Sequence, residues 1–213
     1  MHWTRRLGVV LAGLLTVFAT VTPVAAQAAP ASLTECSTEL YQGDRRLGPQ
    51  ELPLLGQVGL QLLGYNRSGY RPTEQFLAEY YDAGTSSWRY PPQDGYVLDH
   101  SGAPVKWSQS LRPGTRMDRY GSEYGSFLAP TGLPYTTRSI PPSNLVGTPA
   151  AGCNYHDYRV LKAFTVYAGP IAPWFYQTGG GLQYQLNGTL IPGAPATVNV
   201  LWLIDNGYLQ RLR

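Results

Sequence analysis

The stretch Tyr158 to Tyr184, "YRVLKAFTVYAGPIAPWFYQTGGGLQY", decides how the chain is read. Tyr158 to Val166 places Val160, Phe164 and Val166 on one side, the two-residue period of a half-buried strand. Gly169-Pro170 and Ala172-Pro173 then break the run, since proline lacks the donor a ladder needs. A charge-free loop follows, in which Gly179, Gly180 and Gly181 stand among four aromatic residues and two glutamines. Gln183 to Leu186 reads as a strand leaving that loop. A glycine triplet between strands is most simply a turn. Glycine also permits positive φ and close approach of backbone to a bound molecule.

Working outward, 24 glycines, 18 prolines and 16 tyrosines with only 14% charged residues favour short strands and loops over long helices. Thr115 to Tyr120 and Ser126 to Leu128 are further strand candidates. Thr73 to Tyr81 is predicted as a helix with Thr73 as N-cap, because Phe76, Leu77, Tyr80 and Tyr81 form one apolar stripe. Thr197 to Leu209 is ambiguous in period, and Thr197 as N-cap with Gly207 just past the end favours a short helix. The fold class expected is α+β.

The amino terminus carries Arg5 and Arg6, an uncharged run from Leu7 to Thr22, and small residues up to Ala28. That is the pattern of a secretory signal peptide over residues 1–28. A secreted, extracellular protein without a membrane span is expected. Cys36 and Cys153, an even pair in an oxidising compartment, are most simply one disulfide. Without Arg5 and Arg6 the chain holds 14 basic and 13 acidic residues. Residues 29–110 carry 6 basic and 9 acidic side chains, and residues 111–213 carry 8 and 4. The basic second half suits a small polyanion such as a nucleotide and is too weakly charged for duplex nucleic acid.

Most catalytic chemistries find no foothold. His100 and His156 have no partner at metal-ligand spacing, so no metal site is expected. No phosphate-binding glycine motif opens a helix. Gly121-Ser122-Glu123-Tyr124-Gly125 mimics a nucleophile elbow but lacks the central serine. Arg119 in "DRYGSEYG" and Arg138 in "PYTTRSIPP" remain, and a guanidinium fork matches two phosphate oxygens at once.

"DRYGSEYGSFLAPTGLPYTTRSIPP", "YRVLKAFTVYAGPIAPWFYQTGGGLQY" and "LIDNGYL", in that order, resemble the tuberculosis necrotizing toxin (TNT) domain, a family of NAD glycohydrolases. "GDRRLGPQ", "RYPPQDGY" and the early cysteine are similar to the N-terminal lobe of fungal surface NADases. The resemblance implies a mainly antiparallel twisted sheet over 111–213 and a smaller, partly helical N-terminal lobe over 29–110. It implies NAD+ as substrate, with no cofactor, and leaves room for NADP+, a homodimer and an immunity protein. By motif, Arg119 and Arg138 would hold the phosphates and Gln183 would touch the scissile ribose. Phe127 would sit on the nicotinamide side. Tyr120, Trp174, Gly180, Gly181 and His156 complete the expected binding set. Glu123 is the nearest carboxylate should the ribose pass to a protein instead. Tyr176 and Thr178 depart from a family pattern with glycine and proline there. The acidic calcium-binding tail of the fungal enzymes is not expected after Leu209.

Overall fold

The computed structural model describes residues 33–213, so the signal peptide expected over 1–28 lies outside the described residues. The chain first makes two short helices, α1 Gly56–Gln61 and α2 Thr73–Tyr80, and a small ladder of β1 Tyr81–Asp82 with β2 Ser87–Trp88. The main sheet follows, from β3 Trp107–Leu111, β4 Arg116–Tyr120, β5 Phe127–Pro130, β6 Tyr155–Val160, β7 Phe164–Pro170, β8 Leu182–Gln185 and β9 Leu209–Arg211. Its strands lie in the order β3-β7-β8-β5-β4-β6-β9, and all its pairings are antiparallel. The fold is therefore α+β and mainly antiparallel, with a third helix, α3 Val200–Asp205, before the last strand.

Period-two alternation divides the sheet's work. Met117, Leu128, Tyr158, Val160, Val166, Ala168 and Tyr184 point to one face and are buried against Val200, Leu203 and Tyr208. Each of the buried Val, Leu and Met side chains contributes about 1.5–3 kcal/mol. The intervening residues Asp118, Tyr120, Phe127, Ala129 and Gln183 fall on the opposite face by register. In "LQY", burying Leu182 and Tyr184 obliges Gln183 to face the other way. That face is covered by the first part of the chain: Val58, Leu62 and Cys36 pack with Tyr120, Tyr135 and Tyr155. Leu47, Phe76 and Tyr80 pack with Phe175 of the glycine-loop segment.

Several local expectations are corrected. Tyr158 to Val166 is not one strand but parts of β6 and β7, separated by a turn in which Tyr208 O accepts from Leu161 N at 2.8 Å. β7 runs on through Gly169 and Pro170, whose missing donor falls at the strand's last residue. Pro72, not Thr73, is the N-cap of α2, and the Thr73 hydroxyl donates to Gln42 Oε1 at 2.8 Å. For α3 the cap is Asn199, whose side chain accepts from Trp202 N at 2.9 Å, while Gly207 takes φ +71° just beyond the helix end. Tyr176, in the aromatic run before the glycine triplet, has φ +53°, a left-handed value that glycine adopts more readily.

Cys36 and Cys153 form the expected disulfide, with Cα atoms 5.3 Å apart. It ties the first described segment to the turn before β6 across 117 residues of sequence. Loop entropy assigns such a link about 4–5 kcal/mol. Cys36→Ser is expected to lose most of that, read as a fall in the urea midpoint that reductant reproduces in the wild-type protein.

Candidate active site

β4, β5 and β8 present their non-core face to a cavity of about 350 Å³. Asp118, Tyr120, Phe127, Ala129 and Gln183 line it from the sheet, Arg138 and Ser139 from the turn after β5, and Tyr90, Pro91, Asp94 and Gly95 from the segment before β3. Arg119, Arg138 and Gln183 thus share one enclosure, as do Tyr120 and Phe127.

The two arginines differ in environment. Arg138 is buried and paired with Asp118, Nη1 to Oδ1 at 2.6 Å and Nη2 to Oδ2 at 3.0 Å. Its remaining donors reach the Leu133 carbonyl and Gln61 Oε1, the latter at 3.1 Å. Asp118 also accepts from Tyr155 Oη at 3.0 Å and Gly132 N at 2.9 Å. Such a buried pair requires full coordination because both ions leave water. Arg119 instead donates only to neutral carbonyls, Nε to Ser122 O at 2.7 Å and Nη1 to Phe127 O at 2.6 Å. Among the described residues no carboxylate lies within ion-pair distance of it. Burial holds its pKa below the ordinary value, against weaker pulls from Tyr158, Tyr90 and Glu123. Its Nε and Nη1 are thus satisfied by main-chain carbonyls while the charge itself has no counter-ion among the described residues. Room for the head group depends on Gly125, where a Cβ would stand 1.9 Å from Arg119 Nη2.

Gln183 is buried, and its Nε2 donates to the Asp94 main-chain carbonyl at 2.9 Å. The Tyr120 ring is buried beneath the Arg138 guanidinium at 5.2 Å, and its hydroxyl donates to Gln61 Oε1 at 3.1 Å. Burial pushes the Tyr120 phenol well up, so it stays neutral near pH 7. The described residues contain no group of three or more His, Cys, Asp and Glu able to hold a metal ion. None of their helices is long and apolar enough to cross a membrane.

Residues 110–212 match the family model described as tuberculosis necrotizing toxin. The chain is also 43% identical, over 173 residues, to the conidial surface nicotinamide adenine dinucleotide glycohydrolase nadA of Aspergillus fumigatus. That alignment covers 80% of this chain and 70% of the fungal protein. The chain belongs to the tuberculosis necrotizing toxin family. The solved TNT, complexed with its immunity factor IFT, is similar in fold at a TM-score of 0.55 and 16% identity, covering 88% of this chain and 98% of that one. In this TNT-family chain the cavity wall from Tyr90 to Gly95 lies outside the matched stretch.

Other residues expected at a TNT-family site lie outside the cavity lining. Trp174 packs edge-on to Tyr80, centroids 5.8 Å apart, and donates from Nε1 to Arg89 O at 2.7 Å. His156 pairs with Arg119 across β4 and β6, near Glu123, and burial lowers its pKa against the pull of that carboxylate. Gly179 and Gly181 make close approaches to the protein's own chain: their Cβ atoms would stand 2.6 Å from Pro173 N and 2.6 Å from Thr137 O. Gly180 faces open space at φ +79°. Glu123 also lies off the cavity. Burial pushes its carboxyl up, but hydrogen bonds from Arg211 and Tyr158 outweigh that and hold it below the usual range. Asp94, Tyr90, Asp118 and Gln61 were not singled out by sequence. "RYPPQDGY" contains Tyr90 and Asp94, and "DRYGSEYG" begins at Asp118, whereas Gln61 lies in no quoted block.

Asp118→Ala would strand a buried guanidinium and is expected to lower stability by about 3–5 kcal/mol. Adding Arg138→Met should recover much of the loss, since an apolar pair replaces two ions. Urea denaturation of the single and double variants measures both changes.

Proposed function

We propose that the protein is a secreted NAD+ glycohydrolase that splits the nicotinamide–ribose bond to give nicotinamide and ADP-ribose. The observation carrying this reading is the cavity that holds an uncompensated guanidinium, a buried neutral carboxamide and aromatic walls together. The likeness to a fungal surface enzyme of that activity supports both the reaction and the extracellular location.

Chemistry explains why so few ionisable groups suffice. Nicotinamide in NAD+ is already a pyridinium and departs as a neutral ring, so no general acid must protonate it, unlike an ordinary glycoside. The barrier lies in the electron-poor, oxocarbenium-like ribose. Fixed orientation and hydrogen bonds to the ribose hydroxyls lower it. Arg119 holds the pyrophosphate, Phe127 flanks the nicotinamide and Gln183 accepts from a ribose hydroxyl, after which water adds to the anomeric carbon. Arg138, already neutralised by Asp118, shapes the wall and leaves the positive charge to Arg119. This division of labour differs from a clamp of two equivalent arginines. Glu123, tied to Arg211 and Tyr158, is poorly placed to direct transfer to a protein acceptor. NADP+ is a second candidate substrate.

Gln183→Ala is expected to lower kcat at least about 100-fold while leaving the melting temperature nearly unchanged. Arg119→Ala should act chiefly on KM, about tenfold or more, as loss of a charged hydrogen bond implies. A fluorogenic NAD+ analogue, turned over with and without chelator, measures these effects. Near wild-type turnover by Gln183→Ala would remove that residue from the mechanism.

A further inference from the structure

An amide side chain has two chemically opposite ends, and at the scissile sugar only one of them helps. Accepting from a ribose hydroxyl requires Oε1 in the cavity, whereas the reversed rotamer would present N–H groups to a ribose becoming electron-poor. Something must decide between the two. A backbone carbonyl can only accept, so a carboxamide beside it must turn its nitrogen that way. The Asp94 carbonyl lies 2.9 Å from Gln183 Nε2. The neighbouring Tyr96 hydroxyl is occupied elsewhere, donating to the Tyr167 carbonyl and to Gln185 Oε1, each at 3.3 Å. Among the described residues none donates to Gln183 Oε1.

The segment supplying that carbonyl is held in a defined shape. Pro91 and Pro92 hold the approach extended. Gln93, Asp94 and Gly95 then turn the chain with φ of +51°, +59° and +78°. Three consecutive residues of this kind swing the Asp94 carbonyl toward the sheet. Beyond them, Ala172 N donates to Gly95 O at 2.9 Å, Val97 N to Pro170 O at 2.9 Å, and Tyr96 bridges to Ile171. The loop is thus fastened to the end of β7, the strand paired with β8 at Gly169 and Gln183.

We propose that the Pro91–Tyr96 loop is a positioning element whose Asp94 main-chain carbonyl locks the Gln183 carboxamide with nitrogen inward and oxygen toward the substrate. This rests on the glycohydrolase reading for its consequence, though not for its geometry. Asp94 itself acts through its backbone shape. Its part in the reaction lies in Gln183's orientation, and the stretch matching the family model does not contain it.

Two measurements test this. In steady-state kinetics with NAD+, Asp94→Val, whose branched Cβ resists φ +59°, should lose at least tenfold in kcat with KM within threefold. Asp94→Gly, which reaches those angles freely, should keep kcat within threefold of wild type. A kcat for Asp94→Val within twofold of wild type would overturn the proposal. So would an Asp94→Gly loss as deep as that of Asp94→Val, because the carboxylate would then be the active group. The second measurement needs no substrate and no variant: side-chain amide NMR of the free wild-type protein. Gln183 protons should exchange at least tenfold more slowly than those of exposed glutamines, and equal rates would refute the lock. Protected Gln183 protons in a protein that leaves NAD+ intact would keep the lock and sink the glycohydrolase reading instead.

Discussion

A guanidinium removed from water needs an anion, and the Arg138–Asp118 pair is where this fold meets that demand. Asp118 accepts from Arg138, Tyr155 and Gly132, so β4, β6 and the turn after β5 converge on one carboxylate. Gln61 of α1 extends the network to the first part of the chain by accepting from Arg138 and Tyr120. With that charge internally balanced, the neighbouring Arg119 can remain without a counter-ion. The cavity's electrostatic character therefore follows from which arginine is paired, not from the number of arginines present.

The second constraint is the pleat. Burial of Leu182 and Tyr184 on one face leaves Gln183 on the other, and the same parity sends Asp118 and Tyr120 to that side. Arg119 springs from the core-facing side of β4, yet its head group reaches the cavity because the Ser122 and Phe127 carbonyls guide it and Gly125 leaves space. A packed core and a polar site are thus two sides of one sheet.

This explains what could be read in advance. Gln183, Arg119, Tyr120 and Phe127 sit in strands or at strand ends within recognisable blocks, where spacing fixes position. The disulfide needed only two cysteines and an oxidising compartment. Asp118 hid beside Arg119 because its partner lies 20 residues ahead, joined through the turn before Arg138. Asp94 was invisible as a site group because its contribution is a carbonyl, which every residue possesses. The turn at Leu161 to Ala163 carries no sequence signal for a related reason: it lacks glycine and asparagine, and a distant carbonyl at Tyr208 closes it.

The glycine triplet has a consequence for mechanics. Gly179 and Gly181 donate from their amides to Thr136 and Thr137, while Gly180 donates to Ile171. Residues chosen for freedom thus become rivets, joining the approach to β8 with the turn that carries Arg138. Because all three bonds run from main chain to main chain, the stitching of this seam does not depend on which side chains flank it.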